Sequence, residues 1–244
     1  MRKYFNINFQ FNHKQFEEKV EYAALKSKGY CCFVDGTSLV YSYKNENFRN
    51  VLNNALANSC DGSYIALLAS RIHKTKLKEY IGPDFFNKYI YKKESHLILG
   101  NTLQVFKRIQ EKVETQNNSS ENLNFMEVPF QRVEDFDYVA IAKEINELKP
   151  NYIWVSLGAP KQELFMANLL PYINQGVMLG VGAALNYFTG QVKDIPTWAK
   201  KLQLIWLYRI FTEPKKQMKR CTEIAAVLPK MYSEEKSRLK NTNE

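Results

Sequence analysis

Two groups of residues in this chain have the types and spacing to do chemistry. Lys161, Gln162 and Glu163 stand directly behind Gly158 and Pro160, after the apolar run of residues 152–157. Six mostly apolar residues have the length of a strand buried on both faces, and a proline suits the first turn of a helix. The three polar residues are therefore expected at a helix N-terminus beside a strand's carboxyl end, where α/β proteins bind ligands and free amides favour phosphate. The second group is Asp61-Gly62-Ser63, lodged between apolar segments. A carboxylate there is costly to bury unless it has partners or a task. Each group also fits a plain alternative: a βα turn with three solvated side chains, and an ordinary Asp-Gly turn.

The elements that must position these groups are legible as alternating strands and helices. Residues 3–11 alternate weakly, as an edge strand would, and residues 13–26 read as a helix with Phe16, Val20 and Ala23 on one face. Residues 30–34 form a short buried strand ending in Asp35-Gly36-Thr37-Ser38, a turn with a helix N-cap. Two helical stretches follow, with Phe48, Val51, Leu52 and Leu56 spaced for one apolar face. Residues 58–63 read as an interruption, and Pro83 as the start of another helix. Strands are expected at residues 95–100, 124–128 and 177–181, and helices from Leu103 and over residues 138–148. Residues 111–122 read as a helix end and exposed loop. This alternation predicts a Rossmann-like α/β fold, its largely parallel sheet flanked by helices. The clusters at residues 35–38, 61–63, 161–163 and 182–186 would then meet at its carboxyl edge.

Composition narrows the function classes. With 244 residues, 45% of them hydrophobic, the chain can bury one sizeable α/β domain or a domain with an appendage. Cys31, Cys32, Cys60 and Cys221 form no CxxC pair, which fits reduced thiols in the cytoplasm, and His13, His73 and His96 have no metal-ligand spacing. No signal-peptide pattern, spanning apolar run, GxGxxG or P-loop occurs. No metal or cofactor is therefore expected. The formal charge of +9 calls for an acidic partner: nucleotide phosphates, an anionic membrane or nucleic acid. The tail mixes Trp198, Trp206 and Phe211 with Arg209, Lys215, Lys216, Lys219 and Arg220, and residues 233–244 read as a charged, frayed end. Such a tail suits an anionic lipid surface, and equally a helical hairpin packed on the domain with solvated lysines.

Taken in order, these segments resemble the WecG/TagA/CpsF family of bacterial glycosyltransferases. The resemblance is carried by Leu157-Gly158-Ala159-Pro160-Lys161-Gln162-Glu163, then Gly180-Val181-Gly182, Gly190, Pro196, Trp198, Trp206-Leu207-Tyr208-Arg209 and Glu213-Pro214. Upstream it takes in Asp61-Gly62, Arg71 and Gly82-Pro83-Asp84, and it covers residues 30–220. It implies an α/β domain over residues 1–191 and a C-terminal helical appendage over residues 192–244 that contacts the membrane.

The implied reaction is an inverting, metal-independent transfer of an N-acetylmannosamine-type sugar from a UDP donor to a sugar on undecaprenyl pyrophosphate, in cell-surface polysaccharide synthesis. The enzyme would work on the cytoplasmic face of the membrane, and a homo-oligomer is compatible with the sequence. Asp61 would be the general base, taking the acceptor's proton, while positive or dipolar groups stabilise the departing UDP. Asp35, Thr37, Arg71, Gly158, Lys161, Gln162, Glu163, Gly182 and Asn186 would bind substrate, with Lys161 toward the diphosphate and Gln162 on the sugar. Arg209, Lys215, Lys216, Lys219 and Arg220 would face the membrane.

The chain departs from the family pattern at Ser63-Tyr64, Tyr80, Leu185-Asn186, Asp194-Ile195 and Ile205, several of them places where the family carries a charge. This leaves room for an impaired relative that only binds a nucleotide sugar. A basic nucleic-acid-binding module is the more distant alternative, since the Lys and Arg residues form no known reading motif. Nucleic acid is accordingly not an expected partner.

Overall fold

The computed structural model describes residues 3–116, 118–193, 195–202, 204–212 and 214–242. The chain runs α1 (His13–Lys26), β1 (Lys28–Val34), α2 (Gly36–Lys44), α3 (Glu46–Asn54), β2 (Ala57–Cys60), α4 (Ser63–His73) and α5 (Gly82–Tyr89). It continues through β3 (His96–Gly100), α6 (Leu103–Glu114), β4 (Leu123–Met126), α7 (Tyr138–Leu148), β5 (Tyr152–Ser156), α8 (Lys161–Leu169), β6 (Gly176–Gly180) and α9 (Ala184–Phe188). Three helices follow: α10 (Thr197–Lys201), α11 (Ile205–Thr212) and α12 (Pro214–Thr242).

The strands form one parallel sheet in the order β2-β1-β6-β5-β3-β4. Cys32 pairs with Asn58 on one side and with Gly180 on the other, and Val155 pairs with Gly180 in turn. The carboxyl ends of β2, β1, β6 and β5 are therefore consecutive neighbours. That order brings the loops after Cys60, Val34, Gly180 and Ser156 to one edge, as the α/β pattern predicts.

Both faces of the sheet are covered, which is why its strands read as continuous apolar runs. Phe16, Phe85, Phe106 and Leu185 pack on one face; Leu39, Phe48, Ile65 and Phe165 belong to the core on the other. At the sheet's centre Trp154 Nε1 donates to His96 Nδ1 at 3.0 Å, while His96 Nε2 meets the Lys92 carbonyl at 3.0 Å. Burial pushes the His96 pKa down to about 4, so this imidazole is a neutral structural spacer with Nδ1 accepting and Nε2 donating.

Four regions differ from the sequence-based expectation. Residues 58–60 of the expected interruption belong to the strand β2. Its polar side chains are buried because they are hydrogen-bonded: Asn58 Nδ2 donates to the Leu52 carbonyl at 2.7 Å and Ser59 Oγ to the Tyr80 carbonyl at 2.6 Å. Residues 3–11 form no strand of their own. Phe9 makes one isolated bridge to Asn58, and Tyr4, Phe5, Ile7 and Phe9 instead fill a core edge. The expected frayed end is helical through Thr242, and buried Glu235 accepts a 3.0 Å hydrogen bond from the Phe5 backbone N–H. Leu56 lies beyond α3 and packs against Gly29, where a Cβ would stand 2.1 Å from Leu56 Cδ1.

Candidate active site

The loops at the carboxyl edge enclose a cleft of about 400 Å³. The β1–α2 turn supplies Asp35, Thr37 and Ser38; the β2–α4 turn supplies Asp61; the β5–α8 turn supplies Gly158, Pro160 and Gln162; and the segment after β6 supplies Gly182 and Tyr187. Arg220, in the first part of α12, forms part of the facing wall. A smaller chamber behind shares Asp35, Thr37, Asp61 and Arg220 with the cleft and adds Ser63, Tyr64 and Cys221.

Local rules hold these side chains in place. The Asp61 N–H donates to the Val34 carbonyl at 3.0 Å, so the residue is fixed one step past the β1–β2 pairing, at the lip of the cleft. Asp35 caps α2, its Oδ1 accepting from the Ser38 N–H at 2.8 Å. That cap fixes the turn carrying Thr37. Gly36 permits close approach of Tyr64, because a Cβ there would stand 1.3 Å from the Tyr64 hydroxyl. Gly182 turns the chain at φ +52°, in the left-handed region that favours glycine.

The expected site residues fall into two sets. Asp35, Thr37, Asp61, Gly158, Gln162 and Gly182 come together in the cleft. Glu163 lies beneath its floor, fully buried, and Gln162 beside it is 3% exposed. Burial pushes the Glu163 carboxyl up to about 7; hydrogen bonds from Gln162 and from its own backbone amide oppose the rise, and the negative charge of Asp35 adds to it. Lys161, expected to face a diphosphate, holds its Nζ 5.0 Å from the Phe130 ring centroid and 5.1 Å from that of Phe136. Arg71 is exposed in the last turn of α4, outside the cleft lining. Asn186 is also outside it, accepting from Asn101 Nδ2 at 3.2 Å. Arg220, grouped by sequence with the basic tail, borders the cleft. The side chains of Arg209, Lys215, Lys216 and Lys219, like Trp206 and residues 194 and 213, lie outside those described.

Four buried polar side-chain atoms that lack a hydrogen-bond partner among the described residues gather at this edge: Ser38 Oγ, Ser63 Oγ, Tyr64 Oη and Gln162 Oε1. Buried polar atoms are normally satisfied. Such a concentration marks a surface made to meet a polar ligand. Among the described residues no group of three or more His, Cys, Asp and Glu side chains is placed to hold a metal. The cleft thus combines a fixed carboxylate, an arginine, several hydroxyls and an amide, a set able to accept a proton and hold a polar, anionic molecule.

Ser38 and Ser63 belong to clusters that the sequence places at this edge, whereas Tyr41, Tyr187 and the chamber residue Tyr64 were missed. Tyr41 stands one helical turn after Thr37, a spacing that could have signalled it. The others depend on how the loops stack, for which the sequence carries no local sign.

A sequence model of the Glycosyl transferase WecG/TagA/CpsF family matches residues 3–241. The N-acetylglucosaminyldiphosphoundecaprenol N-acetyl-beta-D-mannosaminyltransferase of Bacillus subtilis (strain 168) is 28% identical over 200 residues, covering 80% of this chain and 75% of that protein. The protein of the same name from Staphylococcus aureus (strain NCTC 8325 / PS 47) is 35% identical over 82 residues, 34% of this chain and 32% of its own length.

Proposed function

The chain belongs to the WecG/TagA/CpsF glycosyltransferase family, and on that premise we propose that it moves an N-acetylmannosamine-type sugar from UDP to a sugar on undecaprenyl diphosphate during synthesis of a cell-surface polysaccharide. The observation that carries this reading is the convergence of Asp61, Gln162 and Arg220 on one cleft. Asp61 takes the proton of the acceptor hydroxyl while that oxygen forms its bond to C1 of the donor sugar. The bond from C1 to the phosphate oxygen breaks on the opposite face, and UDP leaves with the electron pair. One displacement inverts the anomeric carbon.

Arg220 is assigned to the diphosphate, where a planar guanidinium suits phosphate oxygens. Lys161, held over two rings and next in sequence to the cleft residues Pro160 and Gln162, adds positive charge nearby. The reaction is read as independent of a metal, the leaving group being met by Arg220 and the turn at the start of α8.

No helix among the described residues is long and apolar enough to cross a membrane. Peripheral association is proposed instead through the tail, where Trp198, Leu202 and Phe211 are exposed on α10, just behind it and on α11. The test is a panel of UDP-sugars incubated with lipid-linked N-acetylglucosamine and related acceptors, followed by mass spectrometry of the lipid. A mass gain of one N-acetylhexosamine supports the reading. No gain with any donor contradicts it.

A further inference from the structure

The floor of the cleft has a polarity that the reaction alone does not require. A side-chain amide offers two N–H donors and one accepting oxygen. Gln162 commits both donors inward: Nε2 gives one hydrogen bond to the Gly180 carbonyl at 2.9 Å and one to Glu163 Oε1 at 3.0 Å. The Gly180 carbonyl can only accept, so reversing the amide would set its oxygen against that carbonyl whether or not Glu163 carries a proton, and Glu163 Oε1 accepts the second Nε2 hydrogen in either state. Gly180 makes the close approach possible, since a Cβ there would stand 3.2 Å from Nε2 and 2.7 Å from Met166 Cε.

The remaining atom, Gln162 Oε1, is buried and has no partner among the described residues. It lies beside Gly182, where a Cβ would stand 3.5 Å from it, and both residues line the cleft. Glu163 is fully buried on the first turn of α8, beneath the floor, and cannot touch a ligand.

We infer that Glu163 is a positioning residue: it fixes the Gln162 amide so that only a carbonyl oxygen meets the substrate, selecting a donor sugar that offers a hydroxyl or an acetamido N–H at that point. The inference rests on the glycosyl-transfer reading above. It divides the cleft. A diphosphate, which has only acceptors, is repelled from the Gln162 end and falls to the Arg220 wall, while the hexose lies on the β6 floor.

The test compares wild type with Glu163→Leu, Glu163→Gln, Gln162→Met and the double variant E163L/Q162M. UDP-N-acetylmannosamine is the donor, lipid-linked N-acetylglucosamine the acceptor, and calorimetry gives the affinity for UDP alone. One lost hydrogen bond corresponds to about a tenfold rise in donor KM. E163L is expected to show that rise while kcat, acceptor KM and UDP affinity stay within about twofold. Glutamine at 163 can still accept from Gln162, so E163Q should restore donor KM to within about threefold of wild type. The double variant should be no worse than Q162M, because Glu163 acts only through that amide. Glu163→Met replaces E163L if the leucine variant melts early. A UDP-sugar lacking the C2 substituent distinguishes the two donor groups: the E163L effect disappears if the C2 group is bound and persists if a ring hydroxyl is.

The assignment is overturned by an unchanged donor KM in E163L, by an equal loss of UDP affinity, or by E163Q as impaired as E163L. Wild-type protein that transfers no sugar overturns the glycosyl-transfer reading and this assignment with it. Wild-type transfer with an indifferent E163L overturns the assignment alone.

Discussion

Glu235 Oε1 lies 2.8 Å from His73 Nε2, with both side chains out of contact with solvent, and this pair ties the C-terminal part of α12 to the last turn of α4. Glu235 also accepts from the Phe5 backbone N–H at 3.0 Å and from Arg238 at 2.7 and 2.8 Å. One carboxylate thus joins the N-terminal segment, α4 and α12. The connection matters for the cleft, because the same helix carries Arg220.

Glu235→Ala removes the partner of the buried Phe5 N–H and His73 and of the half-buried Arg238 at once. Breaking a buried pair of this kind costs about 3 kcal/mol. Urea unfolding should show that loss, and transfer should fall along with it as the Arg220 wall loosens. Full stability in the variant would mean that α12 is held by its apolar contacts alone.

Glu163 predicts a pH dependence of stability with a definite sign. Its carboxyl titrates near 7 when folded against the ordinary 4.5, so between those values the folded protein holds a proton that the unfolded chain has lost. Stability from this group is therefore lost as pH rises from about 4.5 to about 7. Above 7 the full penalty, on the order of 3 kcal/mol, is present. Glu163→Gln abolishes it. Urea titrations should find E163Q more stable than wild type at pH 8 and not at pH 4. An advantage independent of pH would contradict an origin in the buried, ionising carboxyl.

The exposed apolar residues of the tail predict a membrane effect. Leu202 and Phe211 are 63% and 76% exposed, so glutamates in their place remove apolar surface without opening the core. Burying two such side chains in a lipid interface is worth about 3 kcal/mol in all. Leu202→Glu with Phe211→Glu should lower partition onto anionic vesicles by about tenfold or more, with an unchanged melting temperature. Equal partition of the two proteins would argue against a role for this face.

Much of this arrangement was legible in the sequence where one residue's type determines its place. The apolar run of residues 152–157 with Gly158 and Pro160 behind it, which forms β5 as far as Ser156, and the helix over residues 138–148 are legible because hydrophobic period and breakers coincide. β2 was hidden because Asn58 and Ser59 look like turn residues, and only their partners at Leu52 and Tyr80 make them fit a strand. Gln162 and Glu163 read equally well as solvated residues at a helix start. Their burial follows from Gly180 lying on the neighbouring strand, a pairing of β5 with β6 that local sequence does not encode. Arg220 went unrecognised as a cleft residue for a similar reason: a lysine-rich helix looks like a surface until its docking against α2 and α4 is known.

Asp61 is the proposed acceptor of the proton in a sugar transfer at this cleft. Asp61→Asn keeps the size and removes the base, and loss of such a group costs about 10²–10⁴ in rate. Transfer from UDP-N-acetylmannosamine to lipid-linked N-acetylglucosamine should fall by that factor while calorimetry shows UDP-sugar affinity nearly unchanged. Transfer by D61N at the wild-type rate would contradict the account.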